Sequence, residues 1–224
     1  MKVLEIKDSC RANFNKYTKL AFESIPKMEN PNILDLGCGT GVPTLEIARM
    51  TNGNILAIDS DKRSLEWFKK KVQKLNYGKR ISIIHDSILT VNLSEHRFDI
   101  ILAEGIFNII GFEKGLSTFH RLLNPDGYFM IHDEFKNRER KKKIFEKYQL
   151  KEANSFILDE KVWRDEYIHC LEKKIWDYEK THEMNSKDLF IQEKSEIEMY
   201  KKNPLEFRSI YYVLQNRKGR GNSE

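Results

Sequence analysis

Asp35-Leu36-Gly37-Cys38-Gly39-Thr40-Gly41 stands between a short apolar run, Ile33 to Leu36, and a helix-like stretch that opens at Pro43. Glycines at every second position allow a tight turn and a close approach of backbone to ligand. The helix that follows turns its N–H groups and its positive dipole end onto the same loop, which suits a carboxylate or phosphate. Pro43 fits the first helical turn, where its missing N–H costs nothing. A buried strand, a glycine turn and a helix in this order form the opening unit of an α/β sheet.

The chain after the loop keeps to that alternation. Ile55 to Ile58 reads as a strand ended by Asp59, and Asp61 can cap a helix carrying Leu65, Phe68, Val72 and Leu75 that Gly78 stops. Ile81 to Ile84 is a third strand, ending at His85-Asp86, and Phe98 to Ala103 is a fourth. A helix to about Leu123, a turn at Asn124-Pro125-Asp126-Gly127 and a strand from Tyr128 to Ile131 follow. Upstream, a helix is expected from about Asn13 to Ile25, with Pro26 and Pro31 at its exit.

Downstream, Lys151 to Phe156 reads as a sixth strand. Two helical stretches, about Glu160–Glu183 and Lys187–Lys202, lead to a last strand, Phe207 to Gln215. Trp163, Tyr167, Leu171, Ile175 and Tyr178 recur at helical spacing and form one apolar face. The expected fold is α/β, a Rossmann-like doubly wound, mostly parallel sheet with a helical lid at about 160–203 inserted before the final strand. One domain spans 1–224, with a frayed tail at 217–224. Right-handed crossovers put every parallel strand's C-terminal end on one edge, where ligands bind.

Composition removes other classes. The 224 residues are 40% hydrophobic and 33% charged, too apolar for a disordered chain and long enough for a large core. The run from Ile100 to Phe112 is broken by Glu104, Asn108 and two glycines, so no membrane span is expected. The start, MKVLEIKDSC, has no apolar signal region. Cys10, Cys38 and Cys170 are odd in number and far apart, which reads as a reduced, cytoplasmic protein. The six histidines form no ligand cluster, so no metal is expected. A net charge of +5 permits nucleic acid as a partner without arguing for it.

The acids at the strand ends narrow the ligand. Asp59, 18 residues after Gly41, can accept both hydroxyl hydrogens of a ribose. Asp86 can accept from an exocyclic amine such as that of adenine. Together with the glycine loop they describe a nucleoside with a charged tail. A dinucleotide fingerprint would place its third glycine where Val42 stands, and Asp35 suits a cationic ammonium better than a pyrophosphate. Both points favour S-adenosylmethionine over NAD.

The segment ILDLGCGTG, Ile33 to Gly41, resembles motif I of the class I S-adenosylmethionine-dependent methyltransferases. Asp59 is similar to that family's ribose-binding acid, His85-Asp86-Ser87-Ile88 to its adenine-side segment, and Phe98 to Glu134 to its fourth and fifth strands. The resemblance implies a seven-stranded sheet with an antiparallel last strand. It implies Asp35 near the methionine ammonium, Gly37, Cys38, Gly39 and Gly41 against methionine and ribose, and Ser60 beside the adenine. Asp86 would accept from the adenine amine, with Ser87 and Ile88 flanking the ring and Tyr17 closing over the methionine end. A small-molecule methyl acceptor is implied.

Glu104 and His132, at the ends of the fourth and fifth strands, are the candidate catalytic groups: Glu104 as an acceptor for substrate or ammonium, His132 as a general base. Methyl transfer from a sulfonium is an in-line displacement that positioning and water exclusion can drive, so it asks for no triad or metal. Cys38 reads as a small packing residue. The basic run Lys136 to Lys143 reads as a solvated helix start, which leaves RNA or protein methylation as the alternative and nucleic acid as an unlikely partner. A non-catalytic cofactor-binding regulatory module is the reading outside enzymes.

Overall fold

In the computed structural model, which describes residues 2–95, 97–182 and 189–217, seven strands form one sheet. They are β1 (Asn32–Leu36), β2 (Asn54–Asp59), β3 (Ile81–His85), β4 (Phe98–Glu104), β5 (Leu123–Glu134), β6 (Leu150–Leu158) and β7 (Ser209–Asn216). The helices are α1 (Lys2–Arg11), α2 (Asn15–Glu23), α3 (Val42–Met50), α4 (Lys62–Lys74), α5 (Phe107–Ile110), α6 (Phe112–Phe119), α7 (Arg138–Lys147), α8 (Glu160–Trp163), α9 (His169–Thr181) and α10 (Ile191–Lys202). A π-helical turn, Arg164–Ile168, joins α8 to α9.

The strand order is β3-β2-β1-β4-β5-β7-β6. β1 to β5 pair in parallel, and β7 runs antiparallel between β5 and β6. The chain winds outward from β1 to β3, then crosses back to β4. The switch point therefore lies between β1 and β4, at the glycine loop. The helical excursion before the last strand is present as expected. Of the sequence features placed there, Glu183 and Lys187, like residues 218–224 of the tail, lie outside the described residues.

Strand alternation splits the core into two layers. Ile33, Ile55, Ala57, Leu102, Met130, Tyr211 and Val213 face α1–α4 and the excursion. Leu34, Leu36, Ile58, Ile101, Phe129, Tyr212 and Leu214 face α5–α7. Asp35, Glu104 and His132 fall on the first face by the same count. There Glu104 sits opposite His132, and His132 opposite Tyr211.

Four expectations change. α1 was not anticipated; its buried Val3, Ile6 and Cys10 recur at i, i+3 and i+7 among charged neighbours. α4 ends at Lys74 rather than at Gly78, because Asn76 takes the left-handed backbone (φ 58°) that closes the helix. Asn124–Gly127 does not end an element. It bulges within β5 between Leu123, paired with Phe98, and Tyr128, paired with Ile100; Asp126 has φ 60° and Asn124 bonds to Asp99 at 2.7 Å. Cys10 and Cys170, expected as separate thiols, are joined as a disulfide across 160 residues, because α1 packs against α9.

Candidate active site

The site is built at the C-terminal ends of the strands around the switch point. Gly37 and Cys38 donate their amides to the Ile58 carbonyl, at 2.9 and 3.1 Å, which folds the loop back over β2. Gly41 has φ 76°, and a Cβ there would lie 2.2 Å from the Phe68 ring. Gly39 has φ 52°, and a Cβ there would meet nothing within 4 Å, so this stretch of the loop faces open space. Its amide donates to Asp59 Oδ2 at 2.7 Å, and Asp59 Oδ1 accepts from Asp61 N at 2.8 Å. Asp61 caps α4 through the Arg63 amide and Ser64 hydroxyl, as its sequence position suggested.

Asp35 is buried and accepts a hydrogen bond from Thr44 on α3. Burial, opposed by that bond and reinforced by the nearby Glu104 and Asp59 carboxylates, pushes its pKa up to about 7. A cation placed beside Asp35 would offset that cost. Cys38 is a buried free thiol pushed upward by burial and by Asp35 and Asp59, so it packs rather than reacts.

Ser60, Asp86, Ser87 and Ile88, the residues expected beside an adenine, follow the ends of β2 and β3. The His85 ring contacts the Ser60 carbonyl at 3.0 Å. The Asp86 amide donates to the Asp59 carbonyl at 3.1 Å, and Asp86 Oδ1 accepts from the Ser87 amide at 2.7 Å. Ile88 is buried in the second core layer. Asp35, Asp59 and Asp86 thus stand at three adjacent strand ends beside the loop. Tyr17 sits on α2, packed against Phe14 with Lys16 over its ring. From the same helix Thr18, not singled out in the sequence, reaches the strand ends.

Glu104 is buried, with Thr18 donating to Oε1 at 2.7 Å and Arg11 to Oε2 at 3.1 Å. Burial raises its pKa, against the pull of Arg11 and Thr18. The Tyr211 hydroxyl lies 3.2 Å from that of Thr18 and also bonds Glu104, which helps hold the Glu104 pKa against burial.

His132 is buried flat against Tyr211, and its Nε2 lies 2.8 Å from Ser209 Oγ. Burial and the Arg11 charge hold its pKa well below the usual value, so the ring is neutral. Ser209 Oγ also accepts the Trp163 indole N–H at 2.9 Å. All three groups are satisfied when Ser209 donates to Nε2, which places the ring proton on Nδ1.

A cleft of about 630 Å³ opens beside these groups, walled by His132, Trp163, Tyr167, Phe207, Arg11 and Arg208. A larger cleft of about 730 Å³ lies beside Asn30 and Pro31, before the N-terminal end of β1, away from the edge that binds ligands in such sheets. Among the described residues no cluster of side chains suits a metal ion, and no helix is long and apolar enough to cross a membrane. Part of the basic run is engaged within the fold: Lys141 is buried against Asp133 and Arg138 pairs with Glu152, while Lys142 meets Glu139 on the exposed surface.

Sequence reading missed α1's part. Asp8 accepts from Thr40 of the glycine loop, and from Trp67 and Lys71 of α4. α1 therefore lies across the loop and carries both Asp8 and Arg11. The i, i+3, i+7 pattern was its only trace in the sequence.

Residues 27–198 match the family model described as a methyltransferase domain. The chain is 33% identical over 119 residues to a ubiquinone/menaquinone biosynthesis C-methyltransferase of Geotalea uraniireducens, covering 52% of this chain and 51% of that protein. It is 26% identical over 102 residues to a sterol 24-C-methyltransferase of Saccharomyces cerevisiae, covering 45% and 27%. The chain thus spans about half, or less, of the length of these relatives. In fold it is similar to a methyltransferase from Thiobacillus denitrificans solved with S-adenosyl-L-homocysteine (TM-score 0.69, 18% identity, 97% and 99% of the chains covered). It is also similar to the [4+2]-cyclase SpnF (TM-score 0.75, 13% identity, 90% and 80% covered).

Proposed function

The chain belongs to the methyltransferase-domain family, and from that premise we propose that it transfers a methyl group from S-adenosylmethionine to a small-molecule acceptor seated in the cleft beside His132. The observation that carries the reading is the row of carboxylates, Asp35, Asp59 and Asp86, at three adjacent strand ends around an open glycine loop. The first is positioned for a cationic methionine end, the second for a ribose, the third for an adenine amine. Gly37, Cys38 and Gly41 shape the loop, Ser60, Ser87 and Ile88 flank the base, and Tyr17 with Thr18 covers the methionine side. When bound, the sulfonium supplies the methyl group and a good leaving group.

The chain's own residues position the acceptor. Arg11 and Thr18 each donate to one oxygen of Glu104, which fixes Arg11 at the cleft wall and leaves further lone pairs to accept from substrate or ammonium. His132, neutral and protonated on Nδ1, orients an acceptor oxygen by donating to it. Its depressed basicity suits that better than proton removal. The aromatic wall of Trp163, Tyr167 and Phe207 excludes water and suits an acceptor with an apolar, ring-bearing body. The relatives' printed names, for quinone-pathway and sterol C-methyltransferases, agree with such a body. We place the protein in the cytoplasm, with nucleic acid an unlikely partner, since Lys141 and Arg138 are engaged within the fold.

Calorimetric titration with S-adenosylmethionine, S-adenosylhomocysteine and NAD tests the cofactor. Micromolar affinity for the two adenosyl ligands alone is expected. A labelled-methyl screen over phenols, quinols and sterols then tests the acceptor. Tight binding with no transfer to any acceptor, alongside a stable protein complex, would favour a regulatory module instead.

A further inference from the structure

α1 bridges two bodies. On one side Asp8 holds Thr40 of the glycine loop, Trp67 and Lys71, and Arg11 holds Glu104. On the other, Lys7 pairs with Glu193 of α10 at 3.4 Å, and Asn13, just beyond α1, donates to the Glu166 carbonyl at 2.6 Å. Cys10 lies on α1 between Asp8 and Arg11, wholly buried, and its sulfur is bonded to Cys170 on α9. Val3 and Ile6 of α1 also share a buried apolar cluster with Ile168, Leu171 and Ile175 of the excursion. The disulfide is the one covalent tie among the described residues.

We propose that the Cys10–Cys170 pair is a reversible thiol switch on the cofactor site: oxidised, it clamps α1 between the excursion and the glycine loop; reduced, it loosens α1 and weakens cofactor binding. The inference rests on the adenosyl-cofactor reading of the loop. In the cytoplasm proposed above a disulfide persists only transiently, which agrees with a reversible pair.

The chemistry is ordinary exchange with a dithiol reductant. Cys10 is sealed, whereas Cys170 is only partly buried, so the attacking thiolate approaches from the Cys170 side. The Cys10–Cys170 bond breaks, Cys10 departs as a thiolate and takes up a proton, and a mixed disulfide forms on Cys170. The second thiol of the reductant displaces Cys170, which is protonated in turn. Two electrons and two protons pass to the cysteine pair, and the dithiol leaves as its own disulfide.

The clamp acts by preorganisation. With α1 loosened, binding must also fix the helix that carries Asp8 and Arg11, and affinity falls by that cost.

The test uses the full chain. Alkylation under denaturing conditions, read by mass, is expected to find one reactive thiol (Cys38) in air-oxidised protein and three after dithiothreitol. Titration with S-adenosylhomocysteine is expected to give at least about tenfold weaker binding after reduction, restored on reoxidation. The double variant C10S/C170S is expected to bind like reduced protein and to ignore dithiothreitol. Three thiols in oxidised protein, or equal affinity in the two states, would overturn the switch. Should the variant fail to fold, the comparison on the native chain decides alone. Absence of binding in both states would overturn the cofactor reading itself, and the switch with it.

Discussion

Asp59 Oδ2 accepts the Gly39 amide at 2.7 Å, so the carboxylate assigned to the ribose also braces the loop that would carry the methionine end. The two duties separate in mutants. Asp59→Asn keeps one carbonyl oxygen for Gly39 but turns its NH2 toward the Asp61 amide that Oδ1 accepts in the native protein, and it loses the doubly accepting carboxylate. It is expected to weaken S-adenosylhomocysteine by about tenfold and to lower the melting temperature less than the alanine variant does. Asp59→Ala loses both and is expected to cost about 10–150-fold in affinity and to destabilise the fold as well. Calorimetry and thermal melts on both variants check this, and full affinity in the alanine variant would remove Asp59 from the site.

Asp35 predicts a pH dependence. Its pKa is raised from 3.8 to about 7 in the folded state. Between those values the native state holds more protons than the unfolded state, so this group's contribution to stability falls as pH rises and is fully lost above 7. Asp35→Asn is therefore expected to raise stability at pH 8 by roughly 1–3 kcal/mol while abolishing measurable cofactor binding. In the native protein, affinity for the cationic cofactor is expected to drop as pH falls below about 7, by up to tenfold per unit. Urea melts and titrations at pH 5.5, 6.5 and 8 read both effects, and a flat affinity profile would contradict the ammonium assignment.

Gly39 and Gly41 share a backbone conformation but not surroundings. Alanine at 41 must displace the Phe68 ring and is expected to cost about 3 kcal/mol or to prevent folding. Alanine at 39 meets open space, pays only about 1–2 kcal/mol of left-handed strain, and puts its methyl where ligand should sit. A folded Gly39→Ala protein without cofactor binding is the expected result; unimpaired binding would move the ligand elsewhere.

Ser209 joins Trp163 to His132. Ser209→Ala strands both ring nitrogens in a buried setting, for an expected loss of about 1–3 kcal/mol in denaturant unfolding. Cofactor affinity should hold, because the serine touches only the acceptor side, while KM for an identified acceptor should rise. A fall in cofactor affinity instead would show that the two sides are not separable.

The loop and its acids were legible because each depends on short-range demands: φ in the left-handed region, an apolar run, a carboxylate at its end. Asp61 as a cap and Pro43 in the first helical turn belong to the same class. What escaped was set by pairing at a distance. Ser209 meets His132 only because β7 enters beside β5, and Cys10 meets Cys170 only because α1 lies on α9. Asn124–Gly127 has the composition of a loop, yet Leu123 and Tyr128 both stay paired to β4, so tertiary pairing absorbed the turn into a strand. α1 hid because three buried residues among many charges make a thin helical stripe.

β7 lies between β5 and β6, yet it leaves the ribosome some 50 residues after β6. Until then β5 and β6 each keep a bare hydrogen-bonding edge, and the partner surfaces for Tyr211 and Tyr212 stay uncovered. The nascent chain must hold a gap in its sheet open while the excursion is being made. Such edges recruit strands from other chains. Slow translation through α8–α10, or premature termination before Ser209, is therefore the point in this protein's life where aggregation competes most directly with folding.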